Sequence, residues 1–218
     1  MGYRAFAETA IGEVLIPKSL NFSEAYSGEG PFYNCSNLKT ISFEIGTTKI
    51  VECLFSRCNS LEEIAIPDTV TIIGNSAFSS CKSLRKVTIP DSVTSIEESA
   101  FYGCTALQNI TIPDSVTSIG RRAFDGCSAL QNITIPDSVT SIGEYAFSSC
   151  SALESVRLSE KLTRIPSYAF QNCAALKTVQ LPAGITAVGA YAFRNCVALE
   201  KITLPQSVKT LGEYAFQG

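Results

Sequence analysis

The sequence predicts a solenoid of stacked 23-residue coils with a parallel β-sheet along one side. Three residue columns in register predict it. Cysteines stand at Cys35, Cys58, Cys81, Cys104, Cys127, Cys150, Cys173 and Cys196, each 23 residues after the last. Leucines follow three residues on, from Leu38 and Leu61 through Leu107 and Leu130 to Leu199. Phenylalanines keep the same step from Phe32 to Phe216, so residues 33–216 hold eight full repeats. A period of 20–50 residues marks units that bury their apolar faces only against copies of themselves.

Within the unit Leu107–Ala129, each segment has a physical reading. Leu107, Ile110 and Ile112 keep an L-x-x-L-x-L spacing, and "ITI" alternates as a half-buried strand should. Pro113-Asp114 ends that strand, since proline donates no sheet hydrogen bond and aspartate suits the turn. Val116 and Ile119 place a second apolar pair on an extended return path. After Gly120, "RRAF" has room for about one helical or 3-10 turn. The expected inward positions are Leu107, Ile110, Ile112, Val116, Ile119, Ala123, Phe124 and Cys127.

The ends depart from the pattern. Residues 1–32 are expected to form an irregular N-terminal repeat or cap, with "SLNFSEAYSGEG" as an insertion. Residues 33–218 are expected to continue it as one solenoid domain. The chain stops at "YAFQG" before another Cys would fall, which reads as a truncated C-terminus.

The recurring "IPDSVTSIGxxAFxxCxxL" resembles the BspA-like leucine-rich repeat family. The resemblance implies a leucine-rich repeat solenoid, an α/β repeat wound as a right-handed superhelix. It also implies a secreted or cell-surface protein of host-associated organisms that adheres to host extracellular-matrix proteins such as fibronectin and fibrinogen. The motif positions are structural, so no catalytic or binding residue carries over.

Composition narrows the function. Seventeen Lys+Arg against 20 Asp+Glu give a net charge of −3, no electrostatic basis for a nucleic-acid partner. No apolar run approaches the roughly 20 residues of a membrane-spanning helix, and no leader is visible, so no membrane insertion by this stretch is expected. There is no His, which removes the usual proton carrier of acid/base catalysis and the commonest nitrogen ligand of zinc. No enzyme, cofactor or metal site is expected, and the chain is expected to be a monomer.

Four columns remain as candidates for chemistry. The cysteines point the same way on successive coils, which opposes disulfide geometry, so they read as free and buried. The acidic column Asp68, Asp91, Asp114, Asp137 and Glu160 reads as turn-forming in preference to calcium-binding, because each repeat supplies one carboxylate. Tyr145, Tyr168, Tyr191 and Tyr214 form a stripe that either packs along the outer turn or makes a contact surface. The outward strand positions are the candidate protein-binding face, carried by Glu63, Lys86, Asn109, Asn132, Arg157, Gln180 and Lys201. That face has no aromatic anchor and few charges. Asn109-Ile-Thr111 and Asn132-Ile-Thr134 match a glycosylation sequon, but they sit mid-strand and recur by duplication. The expectation is a surface or secreted binding module for a protein ligand; the alternative is a stalk that displays another domain.

Overall fold

A computed structural model describes residues 4–20 and 29–218. The chain winds as a β-solenoid whose strands are all parallel and paired in register, one coil upon the next. Each coil contributes two strand columns. The outward column comprises Glu13–Ile16 with Thr40–Phe43, Glu63–Ala65 with Lys86–Thr88, and a four-stranded sheet of Asn132–Thr134, Ser155–Arg157, Thr178–Gln180 and Lys201–Thr203. The return column has two-residue strands. Lys49–Ile50, Ile72–Ile73, Ser95–Ile96, Ser118–Ile119 and Ser141–Ile142 form one sheet, and Arg164–Ile165, Ala187–Val188 and Thr210–Leu211 form another. Most of the expected insertion, residues 21–28, lies outside the described residues.

The third side of each coil differs from expectation. Among the described residues there is no helix; the "AF" segments are chains of turns, and the expected helical or 3-10 turn is not there. Backbone conformation and bonding supply the reason. From Phe55 to Phe216 the residue two before each stacked Phe has a left-handed backbone, as at Ser99 (φ 55°) and Tyr145 (φ 59°), and so does the residue before each cysteine of the 23-residue column, as at Gly103 (φ 66°) and Asn172 (φ 60°). Such residues interrupt any right-handed helix within one turn and are what type II turns require at their third position. The N–H groups of Ser99, Phe101 and Gly103 then donate to the carbonyls of Arg121, Ala123 and Asp125 in the next coil. The intervening Ala100, Tyr102 and Cys104 close local turns by donating to Glu97, Ser99 and Phe101. Backbone donors thus alternate between local and inter-coil acceptors, and all are satisfied without helix.

The core is one continuous cluster, and all eight inward positions of the Leu107–Ala129 unit are buried in it. Phenylalanines stack from Phe6 to Phe216 with neighbouring centroids 5.3–5.8 Å apart. Such pairs add about 0.5–1.5 kcal/mol each beyond their buried area. Beside them, each thiol of the 23-residue cysteine column points back one coil, as where Cys104 Sγ donates to the Phe78 carbonyl at 3.2 Å. That carbonyl also accepts from the Cys81 N–H. A small apolar side chain with a weak donor suits a position that must fit the core and reach a carbonyl.

The return column breaks where one residue type changes. In other coils the N–H after the return strand donates back to the coil before, as Gly120 does to Ile96, Gly143 to Ile119 and Gly189 to Ile165. Pro166 occupies that position in its coil and has no N–H, so the Ile142 carbonyl loses this donor and the two return sheets part there. Pro166→Gly is expected to join them and to slow amide exchange at residue 166. Fast exchange at that glycine would show that proline is not what parts the sheets.

Candidate outward binding face

The outward strands alternate exposed–buried–exposed, so the inward Ile or Val anchors each strand and its two flanking side chains project to solvent. All seven candidate residues, Glu63, Lys86, Asn109, Asn132, Arg157, Gln180 and Lys201, are exposed. Parallel register sets them in rows: Glu63 beside Lys86, Asn132 beside Ser155, Thr178 and Lys201 in order, Arg157 beside Thr134, and Gln180 beside Thr203. A further exposed row runs one residue earlier through Glu62, Arg85, Gln108, Gln131, Glu154, Lys177 and Glu200. It contains a Lys177–Glu154 pair at 2.6 Å. That row was readable from the same 23-residue step, but the strand alternation drew attention only to positions flanking the anchor.

Polar groups on the face are partly committed. Arg157 Nη2 donates to Asp137 Oδ2 at 2.9 Å, and the Glu160 N–H donates to Asp137 Oδ1 at 2.9 Å. Those two donors, the backbone one first, hold the Asp137 carboxyl below the usual carboxylate range. Ser155 Oγ donates to Asn132 Oδ1 at 2.6 Å. Asp137 of the acidic column is therefore occupied by protein donors. Among the described residues no three His, Cys, Asp or Glu side chains are placed to hold a metal ion.

The outward sheet is interrupted inside the duplicated stretch. Asn132–Thr134 is a strand, whereas Asn109–Thr111, with the same sequence, is in none. Identical residues with different pairing place the cause outside the segment, and nothing in its own side chains explains the difference. At this interruption a cleft of about 800 Å³ opens, lined by Asn109, Thr111, Asp114, Asn132, Thr134 and Lys161 among others.

The tyrosines lie away from this face, on the turn column, stacked on one another at 4.4, 4.9 and 5.3 Å. Arginines flank the stripe, with Arg122 5.0 Å from the Tyr145 ring centre and Arg194 5.3 Å from that of Tyr191. All nine cysteines are free and buried. In the eight from Cys53 to Cys196, burial pushes the thiol up from an ordinary 9.0, to about 11 for Cys53 and Cys196 and about 12 for Cys81. Buried protonated thiols of this kind are poor nucleophiles and poor metal ligands.

Comparison with known proteins places these features. A family model described as the BspA type leucine rich repeat region matches residues 1–108 and 94–218, with six copies. No curated protein matches the sequence. Among solved structures, a leucine rich cell surface protein from Faecalibacterium prausnitzii is 29% identical with a TM-score of 0.51, covering 100% of this chain and 79% of its own. The leucine rich repeat protein of T. pallidum is 25% identical with a TM-score of 0.67, covering 88% of this chain and 81% of its own. A leucine-rich repeat protein from Eubacterium ventriosum is 25% identical with a TM-score of 0.62, covering 92% of this chain and 62% of its own.

Proposed function

The chain belongs to the BspA-type leucine-rich repeat family, and from that membership we propose that it is a non-enzymatic module that binds a protein ligand outside the cell. In this reading it acts at the cell surface or after secretion, and its ligand is an extracellular-matrix protein of a host. The similarity to a leucine rich cell surface protein supports the location. Among the described residues no helix is long and apolar enough to cross a membrane.

The observation that carries the reading is the outward face. Its side chains stand on rungs whose spacing is fixed by backbone pairing and whose chemistry varies from rung to rung, from Glu63 to Lys86 to Asn132 to Lys201. A backbone-fixed array of dissimilar polar groups suits recognition of an extended protein surface, because little backbone entropy is lost on docking. Charges on such a face steer association and select partners more than they add affinity.

Immobilised fibronectin and fibrinogen are expected to retain the protein at micromolar concentration. Arg157→Glu combined with Lys201→Glu is expected to weaken retention roughly tenfold or more, largely through slower association. Undiminished retention of that variant would place the ligand on another face. No retention of the wild type would sink adhesion to these proteins.

A further inference from the structure

Four tyrosines in a row occupy a backbone position that does not suit them. Tyr145, Tyr168, Tyr191 and Tyr214 all have positive φ, at 59°, 62°, 59° and 54°. That region is disfavoured for a bulky side chain. Ser76 and Ser99 hold the same conformation at 53° and 55°, so the coil does not need an aromatic residue there. A bulky residue kept on a disfavoured backbone points to a use outside the fold.

The rings turn their faces to one another, at 4.4, 4.9 and 5.3 Å, so solvent meets a row of ring edges. Tyr145, Tyr168 and Tyr191 are half-buried and Tyr214 is 54% exposed. Arg122 closes one end of the row over Tyr145. Glu144 and Glu213 precede the two end tyrosines, whereas Ser167 and Ala190, small and uncharged, precede the middle two. Gln171 and Arg194 share one repeat position, three residues after the middle tyrosines, and Arg194 lies against the Tyr191 ring. The middle of the stripe therefore combines phenols, an amide and a guanidinium, all hydrogen-bond donors, with no carboxylate at these positions.

We infer that this stripe binds a proline-rich segment in the polyproline II conformation, lying along the rod axis. Such a chain has no internal hydrogen bonds, and its prolines have no N–H, so it offers carbonyl acceptors to a row of donors. It turns once in three residues of about 3.1 Å each, so like positions recur about every 9.3 Å. Two rungs of roughly 4.8 Å come close to that period. Tyr145 and Tyr191, two rungs apart, therefore meet like positions of the ligand, and Tyr168 and Tyr214 meet the next pair.

Every row of the rod shares the rung spacing, but among the described residues this row alone sets half-exposed aromatic rings on consecutive coils. Aromatic rings beside donors are what proline-rich ligands dock on, and a stiff ligand meeting fixed rungs loses little entropy. A glycan is disfavoured because a sugar stacks on an aromatic face, and the faces here are taken by neighbouring rings. The stripe is separate from the outward face, and its role stands whether or not that face binds a matrix protein.

Fluorescence anisotropy with the whole protein tests this, using a labelled oligoproline of about twelve residues, enough to span the stripe at about 3.1 Å per residue. A Gly-Ser peptide of equal length and a β-linked glucose oligomer serve as comparison probes. Oligoproline is expected to bind at least tenfold more tightly than the Gly-Ser peptide. Tyr168→Ser with Tyr191→Ser, the residue already present at Ser76 and Ser99, is expected to remove that preference while the circular-dichroism spectrum is unchanged. Tyr168→Phe with Tyr191→Phe keeps the stack, loses two hydroxyls and is expected to weaken oligoproline binding at least threefold. Thr94→Ala on the return side is expected to leave it unchanged. Equal binding of the two peptides overturns the inference, and so does tighter binding of the glucose oligomer. Oligoproline binding that survives the serine pair, or the phenylalanine pair where the serine variant is unfolded, overturns it as well. Loss of matrix-protein retention alongside intact oligoproline binding removes only the outward-face reading.

Discussion

Raising the pH past 9 is expected to unfold this protein steeply, long before its own buried thiols ionise. The sign follows from the direction of the shifts. Eight buried thiols, Cys53, Cys58, Cys81, Cys104, Cys127, Cys150, Cys173 and Cys196, have folded-state pKa values raised above an ordinary 9.0, and burial is the largest cause for each. A raised pKa stabilises the folded state fully below the unfolded value, and that contribution drains away as pH rises toward the folded value. Between pH 9 and about 11 the unfolded chain releases thiol protons that the folded chain still holds. Each such thiol costs about 1 kcal/mol of stability per pH unit, so eight together cost on the order of 10 kcal/mol per unit. That is comparable to the whole net stability of a typical domain. Circular-dichroism melts at pH 7, 9 and 10 check this directly, and a shallow dependence across that range would contradict it. Replacing Cys104 and Cys127 by Ala is expected to reduce the steepness by about a quarter. The same burial predicts that alkylating reagents at pH 8 label the cysteines only after denaturant is added.

Truncating the middle of the phenylalanine stack is the second large effect. Phe124 is fully buried between Phe101 and Phe147, 5.4 Å from each. Phe124→Ala is expected to cost about 3–5 kcal/mol, from lost transfer energy plus the cavity left behind. Phe216 has one ring neighbour and is only partly buried, so Phe216→Ala is expected to cost less than about 2 kcal/mol. Position along the rod matters as well as burial. Coils interact only with neighbours, so a weakened central coil uncouples the two halves, whereas a weakened terminal coil frays alone. Urea unfolding of the central variant is therefore expected to broaden or divide into two steps. Equal losses and equally sharp transitions for the two variants would refute a nearest-neighbour account.

Most of the core was legible in the sequence because stacking demands the same residue at the same place in every coil. Leu107, Ile110, Phe124 and Cys127 were identifiable as inward for that reason alone, and so were the exposed rungs at Lys86 and Arg157. The turn column was not. "RRAF" and "EYAF" contain good helix formers, and local propensity favours a helical turn there. Inter-coil hydrogen bonds from alternate residues overrode that preference, and they hold Arg122 and Tyr145 at positive φ, where neither residue type points to a left-handed turn. The cleft was equally hidden. Asn109–Thr111 and Asn132–Thr134 are letter for letter the same, so no reading of those letters could give one a strand and the other none. Pro166 was legible in principle as the residue standing where neighbouring repeats carry Gly143 and Gly189.

Beyond a break between Phe43 and Glu63, which the pairing of Lys49–Ile50 with Ile72–Ile73 spans, the outward ladder opens at Asn109–Thr111, and the return ladder opens between Ile142 and Arg164. These openings fall in different coils. Across the first, Ile96, Ile119 and Ile142 remain joined; across the second, Ile133, Val156 and Val179 remain joined. The turn column bonds across both, through Phe101 to Ala123 and Phe147 to Ala169. A rod spliced in this staggered way has no plane through which a pulling force can part it by breaking one row of bonds. Under a pull along its axis the rod is therefore expected to yield coil by coil from its ends, where each coil has a single neighbour.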